Sequence, residues 1–112
     1  MIEVLKPLSQ ISDSRRTLSH LLTDTIRDIN HYEAKKGAVL GNHYHKKTDE
    51  YFYITRGSCL VRAGKSDKVF NRGAMFVIRP QIMHSIECLT DLEFLTFLTE
   101  PFDEHNPDLH KV

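Results

Sequence analysis

Glycines at 37, 57, 64 and 73 cut this chain into short runs of β-branched and aromatic residues. Runs of that length, bounded by residues that accept left-handed backbone, favour strands over ordinary helices. The expected strands are Thr17–Thr23, Asp28–Lys35, Val39–Tyr44, Glu50–Thr55, Ser58–Ala63, Ser66–Asn71, Ala74–Ile78, His84–Cys88 and Glu93–Leu98. Leu18, Leu21 and Leu22 also fit helical spacing, so the first run is readable as a short helix as well. Nothing alternates helix with strand, which excludes a βαβ fold and leaves an all-β sandwich or barrel. The 112 residues suit a single domain spanning 1–112. Two prolines and mixed charge make 101–112 a surface tail, wrapped on the body or partly loose.

Composition removes several functions. The 15 basic and 15 acidic side chains cancel, whereas a nucleic-acid binder carries a basic excess. No apolar run approaches the roughly 18 residues of a membrane span, and the first residues do not read as a signal peptide. The expected location is the cytoplasm, with Cys59 and Cys88 as free thiols.

Seven histidines are many for this length, and His43, His45 and His84 stand out. Side chains alternate along a strand, so His43 and His45 share a face, as do Glu50, Phe52 and Ile54 on the following strand. His84 shares its face with Ile86 and Cys88. If these faces look into a barrel, three imidazoles and one carboxylate converge above Phe52 and Ile54. That donor set suits a borderline divalent ion and leaves positions open for water or substrate. The residues alone also fit a wet surface strand, since Tyr44, Lys46 and Lys47 flank the pair.

At this point the sequence resembles the cupin family. Its first motif stands here as Gly37, His43-Tyr44-His45, Glu50 and Gly57. Of its second motif, Gly73 and His84 keep their separation, while the proline is displaced to Pro80, Gln81 replaces a glycine and Cys88 replaces an asparagine. The resemblance implies a jelly-roll β-barrel, a homodimer, and His43, His45, Glu50 and His84 as ligands of one divalent ion per chain. Iron, manganese, nickel, zinc and copper all remain open. A further stretch, Asp13-Ser14-Arg15-Arg16-Thr17-Leu18 with Gly41-Asn42-His43-Tyr44-His45-Lys46, looks like small cupins of bacterial surface-sugar biosynthesis, which isomerise or epimerise nucleotide-linked sugars.

Three functions follow as expectations. The leading one is a metal-dependent isomerase, epimerase or dioxygenase acting on a small polar molecule such as a carbohydrate or organic acid. His31 is the candidate for proton transfer, since imidazole is the side chain suited to acid–base work at physiological pH. Phe52, Ile54, Arg79 and Cys88 are candidates for the substrate pocket, and Tyr32, Tyr51 and Tyr53 for hydroxyls at its rim. The alternatives are a non-catalytic sugar- or metal-binding module and a metal-free nucleotide-sugar isomerase that uses histidine as base. His20, His105 and His110 show no partner spacing.

Overall fold

The computed structural model describes residues 2–111. Eleven strands and no helix occur among them: β1 Ile2–Leu5, β2 Ser9–Ser12, β3 Thr17–His20, β4 Asp28–Ala34, β5 Val39–His43, β6 Glu50–Arg56, β7 Ser58–Ala63, β8 Ser66–Asn71, β9 Met75–Ile78, β10 His84–Cys88 and β11 Leu92–Leu98. They form an antiparallel five-stranded sheet, β1-β9-β6-β11-β4, and an antiparallel four-stranded sheet, β5-β10-β7-β8. The fold is all-β, and β7, β8 and β10 have the expected bounds. No helix is long and apolar enough to cross a membrane among the described residues.

The core lies between the two sheets because each contributes one apolar face. Phe52, Ile54, Phe76, Ile78 and Phe94 come from the larger sheet, and Cys59, Val61, Ala63, Phe70, Ile86 and Cys88 from the smaller. Phe76 ties the faces together, its ring centroid lying 4.7 Å from that of Phe52 and 4.1 Å from that of Phe70. Such stacked pairs add to area burial by about 0.5–1.5 kcal/mol each.

Two strands lie outside the expected list, and the first expected strand is shorter than Thr17–Thr23. β1 and β2 join the list, and the segment that also fits helical spacing is β3, paired with β2 as a separate hairpin from Ser9↔His20 to Ser12↔Thr17. Leu18 faces Ile11 across that hairpin. The cross-strand pair overrides the local helical spacing, as pairing commonly does for short apolar runs.

Gly57 is dictated by a close approach between the β6–β7 turn and the β10–β11 loop. Its φ is +86°, and a Cβ there would sit 2.1 Å from the Asp91 carbonyl oxygen. Gln81, the residue replacing a family glycine, adopts φ +72°. Its backbone N–H donates to the His45 carbonyl at 2.6 Å and its side-chain amide donates to the Lys46 carbonyl at 3.3 Å. Those bonds hold a left-handed residue that would otherwise cost about 1–3 kcal/mol.

Candidate active site

His43, His45, Glu50 and His84 meet at one end of the space between the sheets. His43 closes β5 and pairs directly with His84, which opens β10. Glu50 opens β6 and is paired with both Ile78 and Leu98, so its side chain is fixed beneath the β5–β6 connection. One nitrogen or carboxylate oxygen from each of the four lies within 4.8 Å of the others. The imidazole centroids are 4.8 Å (His43–His84), 5.1 Å (His43–His45) and 5.7 Å (His45–His84) apart.

Hydrogen bonds set the orientation of two rings. His45 Nδ1 is 2.6 Å from the Asp108 carbonyl and His84 Nδ1 is 3.0 Å from the Ile82 carbonyl. A carbonyl only accepts, so both Nδ1 atoms carry hydrogen and both Nε2 atoms turn inward. There, Glu50 Oε1 lies 3.1 Å from His45 Nε2 and 3.3 Å from His84 Nε2. A carboxylate at that distance from a bare nitrogen lone pair is repulsive. The contact therefore calls for a proton on Nε2 or a cation between the groups.

Charges follow from this packing. Burial of Glu50 pushes its pKa up, but hydrogen bonds from His45 and His84 outweigh burial and hold the carboxyl well below its usual range. Burial pushes His45 down, and the Glu50 carboxylate more than reverses it, so the imidazole is raised. His43 has no such partner: burial, then the charges of His84 and His45, lower it to about 4. The centre thus combines an ion pair with one neutral imidazole.

The same four residues fit a metal. Their donor types suit a borderline divalent ion, and both carbonyl-anchored rings present Nε2 as such sites require. His43, His45, Glu50 and His84 could hold it.

The cluster opens into space large enough for a ligand. A small inner hollow is bounded by Tyr32, Leu40, His43, Phe52, Ile86 and Phe94. A wider cavity of about 480 Å³ continues outward past Asp28, Asn30, Thr48, Glu100 and Phe102. That volume is in the range of small-molecule sites. Tyr32 lies between the two, its ring stacked on Phe94 at 4.6 Å.

Other residues singled out in the sequence are placed elsewhere. Ile54 and Cys88 are in the fully packed core below the hollow. Cys88 faces Cys59 across β10 and β7. Arg79 is outside the barrel, bonded to Glu3 at 2.8 Å, 3.6 Å from Asp49 and over the Tyr51 ring. The alternation Phe76-in, Val77-out, Ile78-in carries position 79 outward. His31 is also outside, half-exposed and bonded to Glu93 at 2.8 Å, because Tyr32 on the same strand takes the inward face. Tyr51 lies on the outer face of β6, donating to Asp24 at 2.6 Å, and Tyr53 shares that face. Sequence reasoning missed Asp108, whose carbonyl anchors His45; only its place in a polar, proline-containing tail marked it, and that is no signal of a site.

The model of the cupin domain matches residues 30–98. The chain belongs to the cupin family. Among curated proteins none matches this cupin significantly by sequence. Solved structures do match its fold. The sugar 3,4-ketoisomerase QdtA from Thermoanaerobacterium thermosaccharolyticum, in complex with TDP, superposes with a TM-score of 0.79 at 19% identity, covering 99% of this chain and 88% of that one. A 3,4-ketoisomerase from Helicobacter canadensis gives 0.79 at 18% identity, with 99% and 90% covered. The TDP-quinovose 3,4-ketoisomerase WlaRB from Campylobacter jejuni gives 0.77 at 17% identity, with 99% and 92% covered.

Proposed function

We propose that this cupin is a 3,4-ketoisomerase of a nucleotide-linked sugar, with the histidine–glutamate cluster as its acid–base centre. The observation that carries the reading is the placing of His43 on the wall of a cavity of about 480 Å³, beside the buried Glu50 carboxylate that His45 and His84 contact at 3.1 and 3.3 Å. The three ketoisomerase structures that share the fold support it.

The chemistry needs little more than these groups. Shifting a carbonyl from C4 to C3 removes the C3 proton, passes through an enediol, returns a proton to C4 and moves the hydroxyl proton from O3 to O4. Atoms balance without any co-reactant. His43 takes the proton from carbon, since a base must be neutral and within reach. The protonated His45, held by Glu50, donates to the carbonyl oxygen as charge develops there. Tyr32 and Asn30 provide hydroxyl and amide groups along the cavity for the sugar.

A second reading is favoured by the donor set itself: the same four residues would hold one divalent ion. When bound, such an ion polarises a substrate carbonyl as a Lewis acid. In either reading we take the protein to be cytoplasmic and homodimeric. Exposed edge strands β4 and β8 support pairing of two copies.

The test is turnover of TDP-4-keto-6-deoxyglucose, followed by NMR, with the metal content of the same preparation measured. Formation of a 3-keto product by chelated protein, abolished in His43→Asn, supports the metal-free isomerase. Turnover that needs one bound ion per chain moves the assignment to the second reading. No turnover of this or other nucleotide-linked 4-keto sugars, with or without metal, overturns both.

A further inference from the structure

The last ten described residues cross the mouth of the site instead of trailing from the barrel. Tyr44 and His110 exchange backbone hydrogen bonds, N–H to carbonyl, at 2.9 Å in each direction. Between them and the barrel sits Asp108. Its carboxylate accepts from the backbone N–H of Lys46 at 2.8 Å, the N–H of Lys47 at 3.0 Å and the Thr48 hydroxyl at 2.7 Å. His110 Nε2 adds a contact of 3.0 Å. The backbone carbonyl of Asp108 accepts the His45 Nδ1 hydrogen. One residue of the tail thus ties down three consecutive positions between His45 and Glu50 and also one ring of the cluster.

We propose that Asp108 is a positioning residue of the active centre, its carboxylate docking the strap so that its carbonyl fixes the His45 proton on Nδ1 and turns Nε2 toward Glu50. A strap serving stability alone has no need to touch a catalytic ring. This one touches His45, which is 4% exposed, and its Pro101, Phe102 and Leu109 line the cavity along with His43 and Glu50. Without the carbonyl, the His45 Nδ1–H loses its acceptor and the ring is free to turn Nε2 away from Glu50. The arrangement serves proton transfer and metal ligation alike, because both need Nε2 directed at the same point.

The proposal rests on the cluster being the functional site, so its test reads the ring directly as well as activity. Full-length Asp108→Ala and Thr48→Val are compared with wild type by long-range ¹H–¹⁵N NMR of the histidine rings. Wild type is expected to show His45 with Nδ1 protonated. Asp108→Ala is expected to show a shifted, fast-exchanging His45 Nδ1 hydrogen, fast exchange of the Tyr44 and His110 amides, and kcat lower by about 10–100-fold with KM moving less. Thr48→Val removes one of the anchors, is expected to fall between, and carries the test if Asp108→Ala does not fold. Asp108→Asn keeps an acceptor oxygen and is expected to recover much of the loss. A wild-type His45 Nδ1–H signal and kcat in Asp108→Ala would overturn the proposal, as would a strap that lifts while the His45 ring stays unchanged. If wild type turns over no sugar yet the His45 Nδ1–H signal shifts in the variant, the positioning role stands and the isomerase reading fails.

Discussion

Replacing Glu50 by Gln removes the charge at the centre while keeping its shape. Glu50 is 6% exposed and receives contacts at 3.1 and 3.3 Å from two imidazoles. A hydrogen bond to a charged group contributes about 1.5–3 kcal/mol net, so two contribute about 3–6. The Gln oxygen still accepts one of them, which leaves a loss of about 2–3 kcal/mol, near the low end for breaking a buried ion pair. For a chain of this size that is a fall in Tm of roughly 10 °C. The pH dependence has a definite sign. Glu50 is held below its ordinary 4.5, so its contribution is complete above that value and is lost as pH falls through the lower folded pKa. His45 is raised above its ordinary 6.5, so its contribution is complete below that value and is lost as pH rises through the higher folded pKa. The gap between wild type and variant is therefore widest between 4.5 and 6.5 and narrows on both sides. Thermal melts followed by circular dichroism, with chelator present, measure it. A variant as stable as wild type in the middle of that window would show that the carboxylate is not ionised and paired, and the acid–base centre would lose its basis.

Three further outcomes follow. Gly57→Ala forces a left-handed alanine against the Asp91 carbonyl and is expected to cost about 3 kcal/mol, read as a lower denaturant midpoint at unchanged m. Because His43 stays neutral down to about 4, the acid limb of kcat/KM in chelated protein should fall near that value and not near 6.5; a limb at 6.5 would assign the base elsewhere. Arg79→Ala and His31→Ala remove groups bonded on the outer surface, so kcat is expected to stay within about twofold of wild type and stability within about 1 kcal/mol.

Much of this arrangement was legible because period-two alternation is local. Glu50, Phe52 and Ile54 read as one face from β6 alone, and the glycines at 57 and 73 marked real turns. That His43 and His45 share a face follows from the same parity, which leaves open whether the face looks inward. What the sequence left open depends on register between strands. His31 and Tyr32 are adjacent, and only the pairing Tyr32↔Phe94, with Phe94 buried in the core, decides which of them looks inward. β2 is Ser-Gln-Ile-Ser, fully exposed, and becomes a strand only through its partner β3. Asp108 lies 63 residues from the ring it anchors, a contact that no local pattern carries.

In the proposed reaction this cupin moves a carbonyl between C4 and C3 of a nucleotide-linked sugar, with His43 carrying the proton. Incubation of chelated protein with TDP-4-keto-6-deoxyglucose in D₂O, followed by ¹H NMR, tests it most directly. Wild type is expected to give a 3-keto product with deuterium at C4, and His43→Asn neither product nor exchange. Substrate recovered unchanged and unlabelled from wild type would contradict it.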